Sequence, residues 1–194
     1  PDRSFTTPAN DQVATPARGW GANAAARWSF DGAGVELGAD LRAADGETRE
    51  LFRFQGGAFT RNRIAGGETF VAGVYAEGWR EAGPWLVAGG VRLDQWRAFS
   101  GARVERDTAS GAIVLDAAPA DNDALAPTAR LGVRRALGGG LFVRGALYAG
   151  FRPPTLNELH RPFRVGNDVT EANAALEPER IAGVDFGVGG AHGD

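Results

Sequence analysis

The feature that most constrains this chain is an alternation of apolar and polar residues, repeated in segments about ten residues long and broken by glycine-rich turns. In 141–152 the odd positions Leu141, Val143, Gly145, Leu147, Ala149 and Phe151 are apolar or small, and the even ones include Arg144, Tyr148 and Arg152. Successive residues of a strand point to opposite faces, so this segment has one greasy face and one charged face. The same reading holds for 35–42, where Val35, Leu37, Ala39 and Leu41 oppose Glu36, Asp40 and Arg42. It holds for 69–79 (Phe70, Ala72 and Val74 against Thr69, Tyr75 and Glu77), for 85–94 (Val87, Val91 and Leu93 against Arg92 and Asp94) and for 181–188 around Asp185. In 128–137 Leu131, Val133 and Leu137 alternate with Arg130 and Arg134, but Arg135 interrupts the apolar face. A less regular strand is predicted over about 20–30, with Trp20, Trp28 and Phe30; residues 1–19 are predicted to be an irregular N-terminal segment.

Tight connections at about 31–34, 81–84 and 138–140 alternate with long ones at about 45–67, 100–126 and 153–178. Short turns on one side and long loops on the other are the pattern of an outer-membrane barrel, with periplasmic turns and extracellular loops. Trp79, Trp85, Trp96 and Tyr148, near predicted strand ends, suit its aromatic girdles. The rival architecture is a soluble antiparallel sandwich, which also has one-sided strands. Against it stand the length of the strands, the charges on their polar faces and the placement of all long loops on one side. The predicted fold is all-β: an antiparallel transmembrane barrel segment of about seven strands, filling 20–194.

Composition removes most other function classes. The chain has no Cys and no Met, and every one of its 21 basic residues is Arg. Thiolate nucleophiles, disulfides and Cys-based zinc sites are excluded, as are a P-loop lysine and a lysine Schiff base. A net charge of -3, with arginines interleaved among acids, gives no electrostatic case for nucleic acid. No apolar run is long enough for a spanning helix, which says nothing against spanning strands.

The segment FRPPTLNELHRPF at 151–163, with VGN at 165–167 and ANAALEPER at 172–180, resembles a motif of TonB-dependent receptors. Gly150, Phe151, Arg152, Pro154, Thr155, Leu156, Glu158 and Leu159 match its first part; Asn173, Leu176, Pro178 and Glu179 match its second. Pro153, His160 and Ala174 depart from the usual pattern. AGGVRLDQW at 88–96 and PTARLGVRRAL at 127–137 resemble upstream strands of the same family. The resemblance implies a barrel of about 22 strands with a plugged lumen, of which this chain is expected to be a fragment. It also implies the outer membrane of a Gram-negative bacterium, contact with its lipid, coupling to TonB through a plug domain, and import of a scarce ligand such as a ferric siderophore or cobalamin. No enzymatic activity and no cofactor are expected. A complete small outer-membrane barrel of structural or adhesive role is the alternative, and pairing of first and last strands is what it requires.

Candidate sites follow from residue chemistry. Pro153 and Pro154 cannot donate to a ladder, so the strand ends near Arg152, and the matched motif residues are expected to be structural. Ligand contact is expected from Arg49, Phe52, Arg53, Phe54, Arg61 and Arg164 in the long loops, which combine positive charge with aromatic surface. Arg92, Arg130, Arg134 and Arg144 have two readings: wall charge paired with neighbouring acids or the plug, or a passage for anionic ligands. His160, beside Glu158, and His192 are too few for a metal site, and Ser4, Ser29, Ser100 and Ser110 lack a nucleophile-elbow context.

Overall fold

The computed structural model describes residues 10–165 and 168–190. In chain order the elements are β1 (Asn10–Ala14), β2 (Ala17–Phe30), β3 (Ala33–Gln55), β4 (Ala58–Ala82), β5 (Trp85–Asp107), β6 (Ile113–Ala117), β7 (Asn122–Gly138), β8 (Leu141–Arg152), α1 (Leu156–His160), β9 (Phe163–Val165), β10 (Asp168–Thr170) and β11 (Glu179–Gly190). All the strands but β9 and β10, which pair with each other, belong to one antiparallel sheet. β1 and β2 both pair with β3, and β6 and β7 both pair with β5, so each couple is one stave broken by a short gap. The sheet therefore has seven staves in sequence order, each next to its neighbour, as the alternation predicts. The first and last staves do not pair among the described residues, so the closure that a complete small barrel requires is absent here.

The register assigns every side chain to a face. One rung runs Val35–Gly78–Gly89–Leu131–Leu147–Val184 across six staves. The next rung runs Glu36–Glu77–Gly90–Arg130–Tyr148–Gly183, on the opposite face. Arg144 and Leu147 lie on opposite faces of the uninterrupted β8, as expected. On the apolar face the uncharged stretches fall in line: Val35–Ala43 on β3 pairs with Phe70–Gly78 on β4, and Leu125–Val133 on β7 lies opposite Leu93–Val87 and Gln95 on β5. A belt of about nine residues is roughly 30 Å along a strand, or about 23 Å at a barrel's tilt, matching the lipid-facing band of such proteins. Val91, Leu147, Val184 and Phe186 are among its most exposed members, Phe186 at 79%.

Three expectations need correction. The segments 45–67 and 100–126 are mostly not loops. β3 and β4 stay paired from Ala33–Arg80 out to Gln55–Ala58, where Gly56 and Gly57, both with positive φ, close the turn. β3 thus continues some 12 residues past the belt, or about 40 Å; sequence alternation was lost there because both faces carry polar groups in water. Second, Asn10–Ala14 and Ala17–Gly19, expected to be irregular, are strand, since the edge of the projecting hairpin offers them a partner. Third, Trp79, Trp96 and Tyr148 are on the polar face. Trp96 is fully buried, and Trp79 and Tyr148 lie across Gly34 and Gly183 of adjoining strands. The lipid-facing aromatics include Trp20, Trp28, Phe30, Trp85 and Phe186, with Trp20 and Trp28 about 26 Å apart along β2.

Candidate functional site

The polar face at the belt level is a wall of compensated charge. Gly73 lies in a rung between Asp40 and Asp94, and Arg92 from the next rung lays its guanidinium over that glycine. Arg92 Nε donates to Asp94 at 2.7 Å and Nη2 to Asp40 at 3.0 Å, and the fully buried Asp94 thereby has a cation. A Cβ at position 73 would collide with this arrangement, which is why glycine stands there. Glu36 accepts from Tyr75 at 2.8 Å and from Arg27, and Glu77 accepts from Arg130. Arg92 and Arg130 are therefore paired wall charges. Arg134 and Arg144 face each other directly across β7 and β8, and the Arg134 guanidinium sits 4.3 Å over the Phe142 ring.

Above the belt a second, drier cluster ties the projecting hairpins to the 153–178 segment. Glu50, 1% exposed, accepts from Arg63 at 2.8 Å, from Arg161 at 2.9 Å and from Asn10 at 2.6 Å. Arg63 also donates to the Pro162 carbonyl at 3.1 Å and covers the Phe52 ring at 4.4 Å. Burial alone would raise the pKa of Glu50; the hydrogen bonds from Arg161, Arg63 and Asn10 outweigh it and hold the carboxyl below its ordinary value. Next to it Arg103 joins Glu105 (2.8 Å) to Glu171 (2.7 Å) of the capping segment. These groups share a face because β5 carries one extra residue at Ser100–Gly101 opposite Gly67, with Ser100 at a φ of 53°. The bulge brings Arg103, Glu105 and Asp107 to the side that Asp94 and Trp96 occupy below it.

The family-like motif folds this segment back onto the polar face. Thr155 caps α1: its hydroxyl accepts from Glu158 N–H, and the Glu158 carboxylate accepts from Thr155 N–H at 2.7 Å. Arg152 bridges the two ends of the segment, bidentate to Glu158 (3.0 and 3.1 Å) and to Glu179 (2.8 and 3.0 Å). Leu159 is thereby pressed onto Trp96 and Ala98, with Val71, Ala124 and Leu176 around them. Asn122 donates to the Ala174 and Leu176 carbonyls, and Asn173 N–H to Glu158 O. His160 is buried over the bulge, where a Cβ on Gly101 would come within 2.5 Å of its ring; burial lowers its pKa.

The Arg152 hydrogen bonds, with those of Thr155, hold the Glu158 carboxyl down at about 2, against an ordinary 4.5. A lowered folded-state pKa means stability that is present above 4.5 and lost as pH falls toward 2. Protease sensitivity of 153–178 should accordingly rise between pH 5 and pH 3, and Glu158→Gln should flatten that dependence; an unchanged profile in E158Q would remove Glu158 as its origin.

The six predicted ligand residues are not gathered together. Arg61 pairs with Asp107, Phe52 lies beneath Arg63, and Phe54 packs edge-on to Phe59 with ring centroids 5.2 Å apart. Arg49 is exposed and paired with Glu47 at 2.5 Å. Arg53 is exposed near the hairpin tip with a φ of 59°. The side chain of Arg164 lies outside the described residues, as do Gly166, Asn167 and His192. The Glu50–Arg63–Arg161 cluster was missed because its members are far apart in sequence and each sits in an unremarkable polar stretch.

The comparisons agree with this geometry. No curated protein matches the chain. Among solved structures, one titled Copper transporter OprC is similar in fold, with a TM-score of 0.68 and 19% identity, over 93% of this chain and 28% of that one. The sequence matches the family described as TonB dependent receptor-like, beta-barrel, over residues 2–193. An alternating seven-stave wall with a lipid belt, projecting hairpins and a segment pinned by the family motif thus has a single reading: the chain belongs to the TonB-dependent receptor β-barrel family.

Proposed function

We propose that this chain is part of the barrel wall of an outer-membrane importer of a Gram-negative bacterium, driven through TonB by way of a plug domain. The observation that carries this reading is the capping segment. It packs Leu159 on Trp96 at the polar face and anchors Arg161 to a buried carboxylate of the β3–β4 hairpin, placing structured, charged surface above the lumen. The cargo class that suits it is an anionic chelate such as a ferric siderophore, with cobalamin as the second candidate. A bare copper ion fits this stretch less well: the sequence has no Cys or Met, and the described residues contain no cluster of three metal-ligating side chains.

Within the hairpins, Arg53 and Phe54 at the β3–β4 tip remain the ligand-contact candidates. Arg61 and Phe52 serve the packing of the hairpins themselves. In the full receptor, Arg53→Ala with Phe54→Ala should weaken capture of a radiolabelled ferric siderophore about tenfold, as loss of one charge-assisted contact and one stacking surface would. Uptake of a ferric siderophore, cobalamin and a copper salt by cells displaying each receptor is the measurement. Unchanged affinity in the folded double variant would take this tip out of the binding site.

A further inference from the structure

Arg135 breaks the apolar face of β7, and the register puts it on the lipid side, paired with Trp85 and Val143. Val133 lies one rung toward the midplane and Leu137 one rung toward the turn, so apolar wall surrounds it. Its guanidinium stacks 5.0 Å from the Trp85 ring centroid. Arg80 on β4 faces the same way, paired with Ala33 and Val87. Only β5 separates the two strands, so the arginines stand about 10 Å apart across the sheet and one rung, about 7 Å, apart along it. Both are exposed, and neither forms an ion pair with a described residue, whereas Arg27, Arg92 and Arg130 on the polar face are paired. Two cations at the edge of a hydrocarbon belt, beside an interfacial indole, leave their charge uncompensated by any described acidic residue.

Resting on the membrane-barrel reading above, we propose that Arg80, Trp85 and Arg135 form a site for the phosphate of an anionic glycerophospholipid in the periplasmic leaflet. The leaflet follows from the short turns, since both arginines lie within a few residues of the 83–84 and 139–140 turns. The acyl chains have a path: one rung above, the directly paired Gly78 and Gly89 floor a shallow apolar furrow beside Leu131. Guanidinium forks match phosphate oxygens, and the indole sits at the depth of the glycerol backbone.

The test uses the intact receptor, delipidated in detergent and offered dioleoyl phosphatidylglycerol or dioleoyl phosphatidylcholine at equal concentration, with bound lipid counted by native mass spectrometry. R80Q/R135Q should lose phosphatidylglycerol adducts about tenfold, as expected for lost charge-assisted bonds, while R134Q/R144Q on the lumen side should keep them. Equal adducts in wild type and R80Q/R135Q would overturn the proposal. So would displacement of the lipid by millimolar inorganic phosphate, which would make this a free-anion site. Heat-modifiable gel migration reports barrel formation separately. A receptor that never forms a barrel refutes the membrane reading and the lipid site together; a folded barrel without selective adducts refutes the lipid site alone.

Discussion

Replacing Glu50 with alanine is expected to cost the receptor about 3–5 kcal/mol, the range for removing one partner of a buried ion cluster. The Glu50 carboxylate takes hydrogen bonds from three chain segments: Asn10 on β1, Arg63 on β4 and Arg161 after α1. Without it, the Arg63 guanidinium, whose side chain is 7% exposed, keeps Glu105 at only 3.4 Å and the Pro162 carbonyl. The loss should appear in urea unfolding and as early proteolysis within 153–178, with the belt still protected. Substituting both partners, Glu50→Leu with Arg63→Met, should recover part of the loss, because the buried guanidinium left without its main partner is then removed as well. If Glu50→Ala unfolds at the wild-type urea concentration, the cluster is not what anchors the cap.

A second large effect is expected at Leu147, which lies midway along the apolar belt of β8, between Leu131 and Val184. Leu147→Arg should destabilise the folded barrel by about 2–4 kcal/mol, the cost of a cation at the bilayer midplane. The neighbouring Ala146 faces the polar side, paired with Gly132 and Asp185, and Ala146→Arg should cost much less. The comparison is read from unfolding titrations in lipid vesicles. Equal costs at 146 and 147 would show that the facing of β8 is wrong.

How much of this was legible beforehand depended on burial contrast. Strands such as β8 and β11 were readable because lipid on one side and a polar lumen on the other force a period of two. Beyond the membrane that contrast disappears: Arg49 and Glu50 point to opposite faces of the same hairpin, yet both are charged. Trp96 illustrates a different failure. A tryptophan near the end of an apolar stretch has the composition of a girdle residue, and only its even position in β5, shared with Asp94, assigns it to the inner face. The motif residues were identified by resemblance, but what they do became visible only in three dimensions, since Arg152 meets Glu158 and Glu179 across a segment of some 25 residues. The ligand candidates had aromatic and cationic chemistry in common but no shared location.

The single extra residue at Ser100–Gly101 bears on how this part of the protein can vary in length. Below the bulge, even-numbered β5 residues face the lumen; above it, odd-numbered ones do. Straightening the strand without losing a residue would carry the lower phase through and turn Arg103 and Glu105 outward, breaking their links to Glu171 and Arg63. His160, resting on Gly67 and Gly101, would lose the concavity that holds it. Related chains should therefore tolerate insertions and deletions at the Gly56–Gly57 tip, where matched gains on both arms keep every side chain on its own face. Between the bulge and Glu105 a one-residue change would likewise be read as a frameshift in facing, so that short stretch of β5 should be among the least length-variable parts of the exterior.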